Sequence, residues 1–372
     1  MKITRSTKCS LNFASTSKRQ LLDLILSEYG RVVNFFIEKF WQECPSKSRL
    51  LKPVVNVPNT WLSARLCKVA AREAIDMVRA AKLRRGDEAR KPVHRGNRMC
   101  VSSMIASLVP SRRAREFDAW LQIRCVGNGI KLDLPVRFHK HWYCLTGRTG
   151  SRRLESYIIT KDYVQFAFEI ETGAKRIEGD AIGVDTGIRA LATLSDGRKF
   201  GQDIPTLVER IKRCQHGSNG QKRARRALRQ RMDEVAKEIL ATAPRLIVVE
   251  KLKGLNHKAK KRRRLGRNMR RSLGAWAYRY WINRLRMGTE DHRVSFRAVP
   301  PAVTSLRCSA CGHTERRNRA TAEMFLCRSC GHTDDADVNA ARNILVRFLT
   351  GAYGPGCQPR DAVSLGVHGN AG

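Results

Sequence analysis

Hydrophobic and polar positions change rhythm near residue 180, and the two halves predict different architectures. Residues 1–13 read as a short strand. Ser17 is a plausible N-cap for a helix whose apolar residues are Leu21, Leu24, Ile25, Val32, Val33, Phe36 and Phe40, and Pro45 ends it. A second helix is predicted from about Thr60 to Leu83, with Leu62, Leu66, Val69, Ala70 and Met77 on one face. After a basic linker, Gly127-Asn128-Gly129 makes a turn, and strict alternation follows at Ile130, Leu132, Leu134, Val136 and Phe138. The same alternation returns at Val164, Phe166, Phe168 and Ile170. The first half is therefore expected to be a β-rich body with helices inserted early.

From Ala181 the strands become continuously apolar, as a sheet covered on both faces requires. Residues 181–184 are apolar and end in Asp185; Leu191–Leu194 is a second strand closed by Ser195-Asp196-Gly197. Residues 205–243 read as helix and are heavily basic, with Arg225, Arg226 and Arg229 among the cations. Leu246–Val249 is another buried strand, ending in Glu250. A basic stretch, a helix at 273–285, a strand at 294–299 and a cysteine-rich module follow. The Gly- and Pro-rich last residues, 349–372, are expected to be a disordered tail.

The charge narrows the range of partners. The 372 residues carry 72 Lys and Arg against 33 Asp and Glu, a formal net charge of +39. Such an excess repels itself in a compact state and calls for a polyanion. No apolar run of membrane-spanning length and no signal-peptide core follows Met1, so nucleic acid is the expected partner and membrane is not. Of the twelve cysteines, eight are scattered singly and are expected to pack as small hydrophobes, which fits a reducing, cytoplasmic compartment.

The other four form Cys308-x2-Cys311-x15-Cys327-x2-Cys330. Thiolates select zinc, and two such knuckles supply the four ligands of a closed structural site, with Gly312 and Gly331 suited to the tight turns. His313 and His332, just beyond, are expected to be exposed rather than ligands. An acidic run, Asp334-Asp335-Ala336-Asp337, comes next, and Asp337 opens a helix. Asp185 and Glu250 end central strands, where α/β folds gather side chains from distant sequence. A lone acid after a strand is ordinarily a turn residue or a cap. Three acids converging would repel one another unless cations bridged them, and magnesium suits carboxylate oxygens. Two such ions about 4 Å apart serve phosphodiester cleavage.

These residues resemble a known family. Gly183-Val184-Asp185-Thr186-Gly187 with 191–197, Val248-Val249-Glu250-Lys251-Leu252-Lys253-Gly254-Leu255, and Ala336–Ile344 are similar to the three active-site motifs of TnpB proteins. These are transposon-encoded RNA-guided DNA endonucleases related to compact type V CRISPR effectors. Residues 304–313 resemble the family's zinc ribbon. The resemblance covers about 181–345. It implies an α/β, RuvC-like (RNase H-type) nuclease domain with an inserted zinc ribbon, preceded by a β-barrel wedge domain with an inserted helical recognition lobe. It also implies a catalytic triad of Asp185, Glu250 and Asp337 binding two Mg²⁺, and one structural Zn²⁺. The expected boundaries are a wedge strand at 1–14, a helical lobe at 15–95, the barrel at 96–179, the nuclease core at 180–304, the ribbon at 305–332 and the last motif at 333–348.

The expected partners are a guide RNA, double-stranded target DNA and its displaced single strand. Lys258, Lys260, Lys261, Arg262, Arg263, Arg264, Arg267, Arg270 and Arg271 read as a phosphate-contacting tract. The aromatic residues Trp276, Tyr278, Tyr280 and Trp281 beyond it could stack on bases, but their helical spacing suits a core. The setting expected is the nucleoid of a prokaryotic cytoplasm. Two other readings stay open: a nuclease-silent guided binding protein, and an RNA-independent transposase or structure-specific nuclease of the same fold.

Overall fold

The computed structural model describes residues 1–47, 50, 56–85, 88–187, 189–251, 271–272, 274–301 and 303–351. The chain forms two compact units, Met1–Thr172 and Gly173–Gly372.

In the first unit, β1 (Lys2–Ser10) buries every second residue, so that Ile3 and Cys9 reach the core while the intervening side chains face water. Four antiparallel strands run in the order β1-β7-β6-β2, with β2 at Arg98–Ser102, β6 at Ser151–Thr160 and β7 at Tyr163–Glu171. A second antiparallel sheet is built from β3 (Ala106–Pro110), β4 (Ala119–Ile123) and β5 (Leu132–Val136). Helices α1 (Thr16–Phe40) and α2 (Ala64–Arg85) share one apolar core with both sheets, and the short α3 (Lys140–Thr146) adds Trp142 to it.

Local details differ from expectation. The α1 cap is Ser15, whose hydroxyl accepts the Lys18 N–H, rather than Ser17. Its buried stripe runs through Leu22, Ile25, Leu26, Tyr29, Val32, Val33, Phe36, Ile37 and Phe40. Those steps of three and four keep one face inward and turn Leu24 out to solvent. The helix also stops at Phe40, before Pro45.

The second unit is a mixed sheet of order β10-β9-β8-β11-β12. Strands β8 (Ala181–Asp185), β11 (Leu246–Glu250) and β12 (Ser295–Val299) are parallel neighbours, while β9 (Ala192–Leu194) and β10 (Lys199–Phe200) return antiparallel. The basic stretch 205–243 is two helices, α4 (Ile204–Arg213) and α5 (Asn219–Ala241). Gly217 at φ 79° turns the chain between them, and Ser218 caps α5 by accepting the Gln221 N–H at 3.1 Å. Beyond them lie α6 (Tyr278–Asp291), the hairpin β13 (Met324–Leu326) and β14 (Thr333–Asp335), and α7 (Ala336–Thr350).

Strand alternation divides the sheet's two faces. Ile182, Val184, Ile247 and Val249 pack with residues of α4, α5 and α6, around the fully buried Trp281. Leu246 and Val248 point the other way, to Ile344 of α7. On that face Gly183 is required: a Cβ there would lie 2.1 Å from the Ala341 carbonyl oxygen of α7. Among the described residues, no helix is long and apolar enough to cross a membrane.

Candidate active site and metal centre

The same alternation aims two of the acids. Asp185 follows Gly183 by two residues and Glu250 follows Val248 by two, so both project to the α7 side of the sheet. The register that pairs Val248 with Gly183 and Val249 with Val184 brings the two carboxylates to neighbouring strand ends. Asp337 sits in the first turn of α7, the helix packed on that face.

Burial and mutual repulsion mark the group electrostatically. Desolvation, then the charges of Glu250 and Asp337, push the Asp185 carboxyl up to about 7, while Arg319 opposes them. Burial also raises Glu250, against a hydrogen bond from the Thr304 hydroxyl to its Oε1 and the charge of Arg347. Asp337 is raised by burial and by Asp335, with Arg319 pulling the other way from 3.5 Å. A cluster of carboxylates held above their usual range is suited to cations. The acids do not form a tight cage by themselves. Among the described residues, only the four cysteines bring three or more donors within 4.8 Å of one another.

The other members of the acidic run have structural duties. Asp334 pairs with Arg342 at 2.7 Å. Asp335 caps α7, accepting the N–H groups of Asp337 and Val338 at 3.0 and 3.1 Å, and pairs with Lys199 at 2.7 Å. Asp337 is the one left to meet Asp185. Sequence reasoning missed Thr304 and Arg319, because a threonine ahead of the first cysteine knuckle and an arginine between the two knuckles carry no pattern. It also missed the Tyr278 hydroxyl, which donates to the Glu250 carbonyl at 3.0 Å and pins the strand end to α6.

The four-cysteine cluster fits a structural zinc site. Cys308 and Cys330 sulfurs lie 3.8 Å apart, and those of Cys311 and Cys327 3.5 Å apart. The knuckles repeat one geometry: Gly312 and Gly331, at φ 79° and 71°, donate to the carbonyls of Cys308 and Cys327 at 3.0 and 3.1 Å. Burial disfavours the Cys327 thiolate, but the N–H groups of Cys330 and Ser329 and the neighbouring thiols overcome it and lower its pKa, while the Cys308 and Cys311 thiols of the same cluster are raised. A group ready to ionise among four sulfurs suits a cation that takes thiolates. His313 is exposed and pairs with Glu315 at 3.4 Å, but His332 is half-buried beside Asp334 at 3.8 Å rather than exposed.

Buried asparagines join this ribbon to α7. Asn339 donates to the Arg307 carbonyl at 2.8 Å and accepts the Ser309 N–H at 2.9 Å; Asn343, one turn on, donates to the carbonyls of Thr304 and Arg307.

The basic candidates separate. Arg226 and Arg229 are exposed on α5, with Arg229 above the Tyr280 ring, and Arg225 is half-buried. Arg271 is exposed and donates to the Lys212 carbonyl at 2.7 Å. Lys258, Lys260, Lys261, Arg262, Arg263, Arg264, Arg267 and Arg270 lie outside the described residues, as do Cys357 and the tail from 352. Trp276 and Trp281 are core residues, and the Tyr280 hydroxyl donates to Asp233. Among the single cysteines Cys9 and Cys67 are buried, whereas Cys125 and Cys144 are exposed rather than packed.

Comparison with known proteins shows what this arrangement is similar to. Residues 278–344, from α6 through the ribbon into α7, match the Cas12f1-like TNB domain. The chain is also 33% identical over 199 residues to the "Putative RNA-guided DNA endonuclease InsQ" of Escherichia coli (strain K12), a match covering 44% of this chain and 48% of that protein. The chain thus spans about half the length of that curated relative. In fold it is similar to Cas12f1 solved with sgRNA and target DNA (TM-score 0.57, 13% identity, 89% of this chain and 83% of that one). It is likewise similar to the mini-RNA-guided endonuclease CRISPR-Cas phi3 (TM-score 0.54, 8% identity, 93% and 92%). The resemblance read from the motifs therefore holds in sequence and in fold.

Proposed function

We propose that this chain is an RNA-guided DNA endonuclease of the TnpB type, hydrolysing phosphodiester bonds at one RuvC-like site made by Asp185, Glu250 and Asp337. The observation that carries this reading is the alignment of three raised carboxylates: two from adjacent parallel strand ends, the third from the helix packed over them. The strand order of the second unit and the two nuclease folds it resembles support a RuvC-like core. InsQ, the Cas12f1 complex and the phi3 endonuclease bring RNA guidance, and DNA as target, to the proposal.

Two Mg²⁺ ions bound by these acids would neutralise the scissile phosphate and lower the pKa of the attacking water. The chain's own contribution is orientation. Thr304 fixes one oxygen of Glu250, Tyr278 anchors the strand that carries it, and the cap at Asp335 sets the start of the helix that carries Asp337. Arg319, beside Asp337, supplies a cation at the edge of the group. The zinc ribbon is structural in this reading, since four thiolates leave no ligand position for water. The first unit is read as the wedge barrel with its recognition helices, and the whole as acting in a prokaryotic cytoplasm.

The test is to co-express the chain with its flanking genomic sequence, identify the RNA that copurifies, and assay cleavage of matching duplex DNA with Asp185→Ala as control. Guide-dependent cutting lost in the variant supports the reading. Equal, negligible cutting by both proteins removes the nuclease, and cutting by RNA-free protein removes the guide.

A further inference from the structure

The first unit holds a second polar site that the catalytic reading does not use. A cavity of about 350 Å³ opens beside β2 and β7, lined by Met77, Arg95, Asn97, Arg98, Thr160 and Tyr163 among others. Small-ligand pockets span roughly 300–1,000 Å³, so this one suits a single nucleotide and no duplex.

The loop that edges it is held from three sides. Asn34 of α1 accepts the His94 N–H at 2.8 Å and donates to the His94 carbonyl at 2.9 Å. The Gly96 N–H donates to His94 Nδ1 at 3.1 Å, and the other ring nitrogen, Nε2, faces Glu73 at 3.6 Å. Gly96, at φ 64°, lies so close to α1 that a Cβ on Gly30 would come within 2.5 Å of its Cα. Beneath the loop, Glu73 is buried and meets the Tyr29 hydroxyl at 2.9 Å and Arg98 at 2.9 Å. Burial opposes its charge, but His94, Tyr29 and Arg98 hold it down to about 2, so Glu73 stays ionised.

A buried ion network is costly, and replacing such pairs with apolar residues often stabilises a fold. Here it fixes one loop, and that loop presents two groups without partners. Arg95 and Asn97 are both exposed, and neither has a hydrogen bond or ion pair among the described residues. Lys8 Nζ lies 4.4 Å from the Tyr163 ring centroid, adding a cation beside the cavity. Exposed donors carried on a fixed loop backbone beside an aromatic ring offer a site for an anionic, planar ligand.

We infer that this cavity takes one unpaired nucleotide of the bound RNA, with Arg95 on its phosphate, Asn97 on its base edge and Tyr163 against its ring. The inference rests on the RNA-guided reading and adds a position to it that lies wholly within the first unit.

The probe is a 5′-fluorescein-labelled, mixed-sequence single-stranded RNA of twelve nucleotides, titrated by anisotropy against the zinc-loaded full chain over a salt series. Arg95→Ala should weaken binding about tenfold and reduce the log–log salt slope by about one. Asn97→Ala should weaken binding by a similar factor with the slope unchanged. Arg112→Ala, an exposed cation elsewhere on the same unit, should stay within about threefold of wild type. Both site variants melting as wild type keeps the comparison clean. If Arg95→Ala and Asn97→Ala bind like Arg112→Ala, the pocket is overturned while the guided reading stands. If the wild-type chain binds no RNA, both fall together.

Discussion

Asp185→Asn should make this protein more stable while abolishing the cleavage proposed for it. The Asp185 carboxyl is raised from an ordinary value near 3.8 to about 7 by burial and by Glu250 and Asp337. In the unfolded chain it titrates near 3.9. Between these values the folded state binds more protons than the unfolded one, so stability falls as pH rises through the window, and the full cost is present above pH ~7. A rise of that size sets a ceiling of about 4 kcal/mol. The residue is half-buried, so solvent screening reduces that to roughly 1–2 kcal/mol. For a unit of about 200 residues each kcal/mol moves the melting temperature by roughly 2–4 °C. The neutral, isosteric asparagine should therefore raise Tm by about 2–8 °C at pH 8 without added magnesium. The gain should shrink steadily towards pH 5. Calorimetry on zinc-loaded wild type and variant, in buffers from pH 5 to 8.5, measures it. A gain that is absent at pH 8, or identical at every pH, would refute the claim that burial and the neighbouring acids hold Asp185 above its ordinary range. Added Mg²⁺ should stabilise wild type more than the variant, and narrow the gap.

Four further outcomes are expected. Thr304→Val removes the hydroxyl that fixes Glu250 and should raise the magnesium needed for half-maximal cleavage by about 10- to 100-fold, with Thr304→Ser close to wild type in the same titration. Gly183→Ala drives a methyl into the Ala341 carbonyl and should cost about 1–3 kcal/mol or more, read as a lower midpoint in urea. One zinc per chain should be found by metal analysis; stripping it should expose four additional thiols to titration and make the 304–335 segment sensitive to protease. Glu73→Gln leaves a buried network short of its charge and should destabilise the first unit by about 3 kcal/mol, measured by chemical denaturation.

The sequence revealed the sheet and its acids because both rest on periodicity. Apolar runs ending at Asp185 and Glu250 need two covered faces, and the structure supplies α4–α6 on one and α7 on the other. The cysteine pairs were legible because zinc geometry dictates their spacing. The break at Gly217 inside the basic helix was not, since α4 and α5 continue the same composition across it. Thr304, Arg319 and Asn339 were invisible for a different reason: their roles depend on what the fold brings beside them, and no local pattern encodes that. The loop His94–Asn97 is the same case, a run of ordinary polar residues whose rigidity comes from α1 and α2.

The third acid also sets when the site can exist. Asp337 follows Asp185 by about 150 residues, and it reaches the sheet only when α7 docks against Gly183. Contacts across so long a span carry the largest loop-closure cost and are made late in folding. A chain that has built its sheet but has not yet docked α7 holds two acids and no complete set. On the nuclease reading proposed above, cutting competence would be tied to the completion of folding, and a half-formed copy of so basic a protein would meet nucleic acid without damaging it.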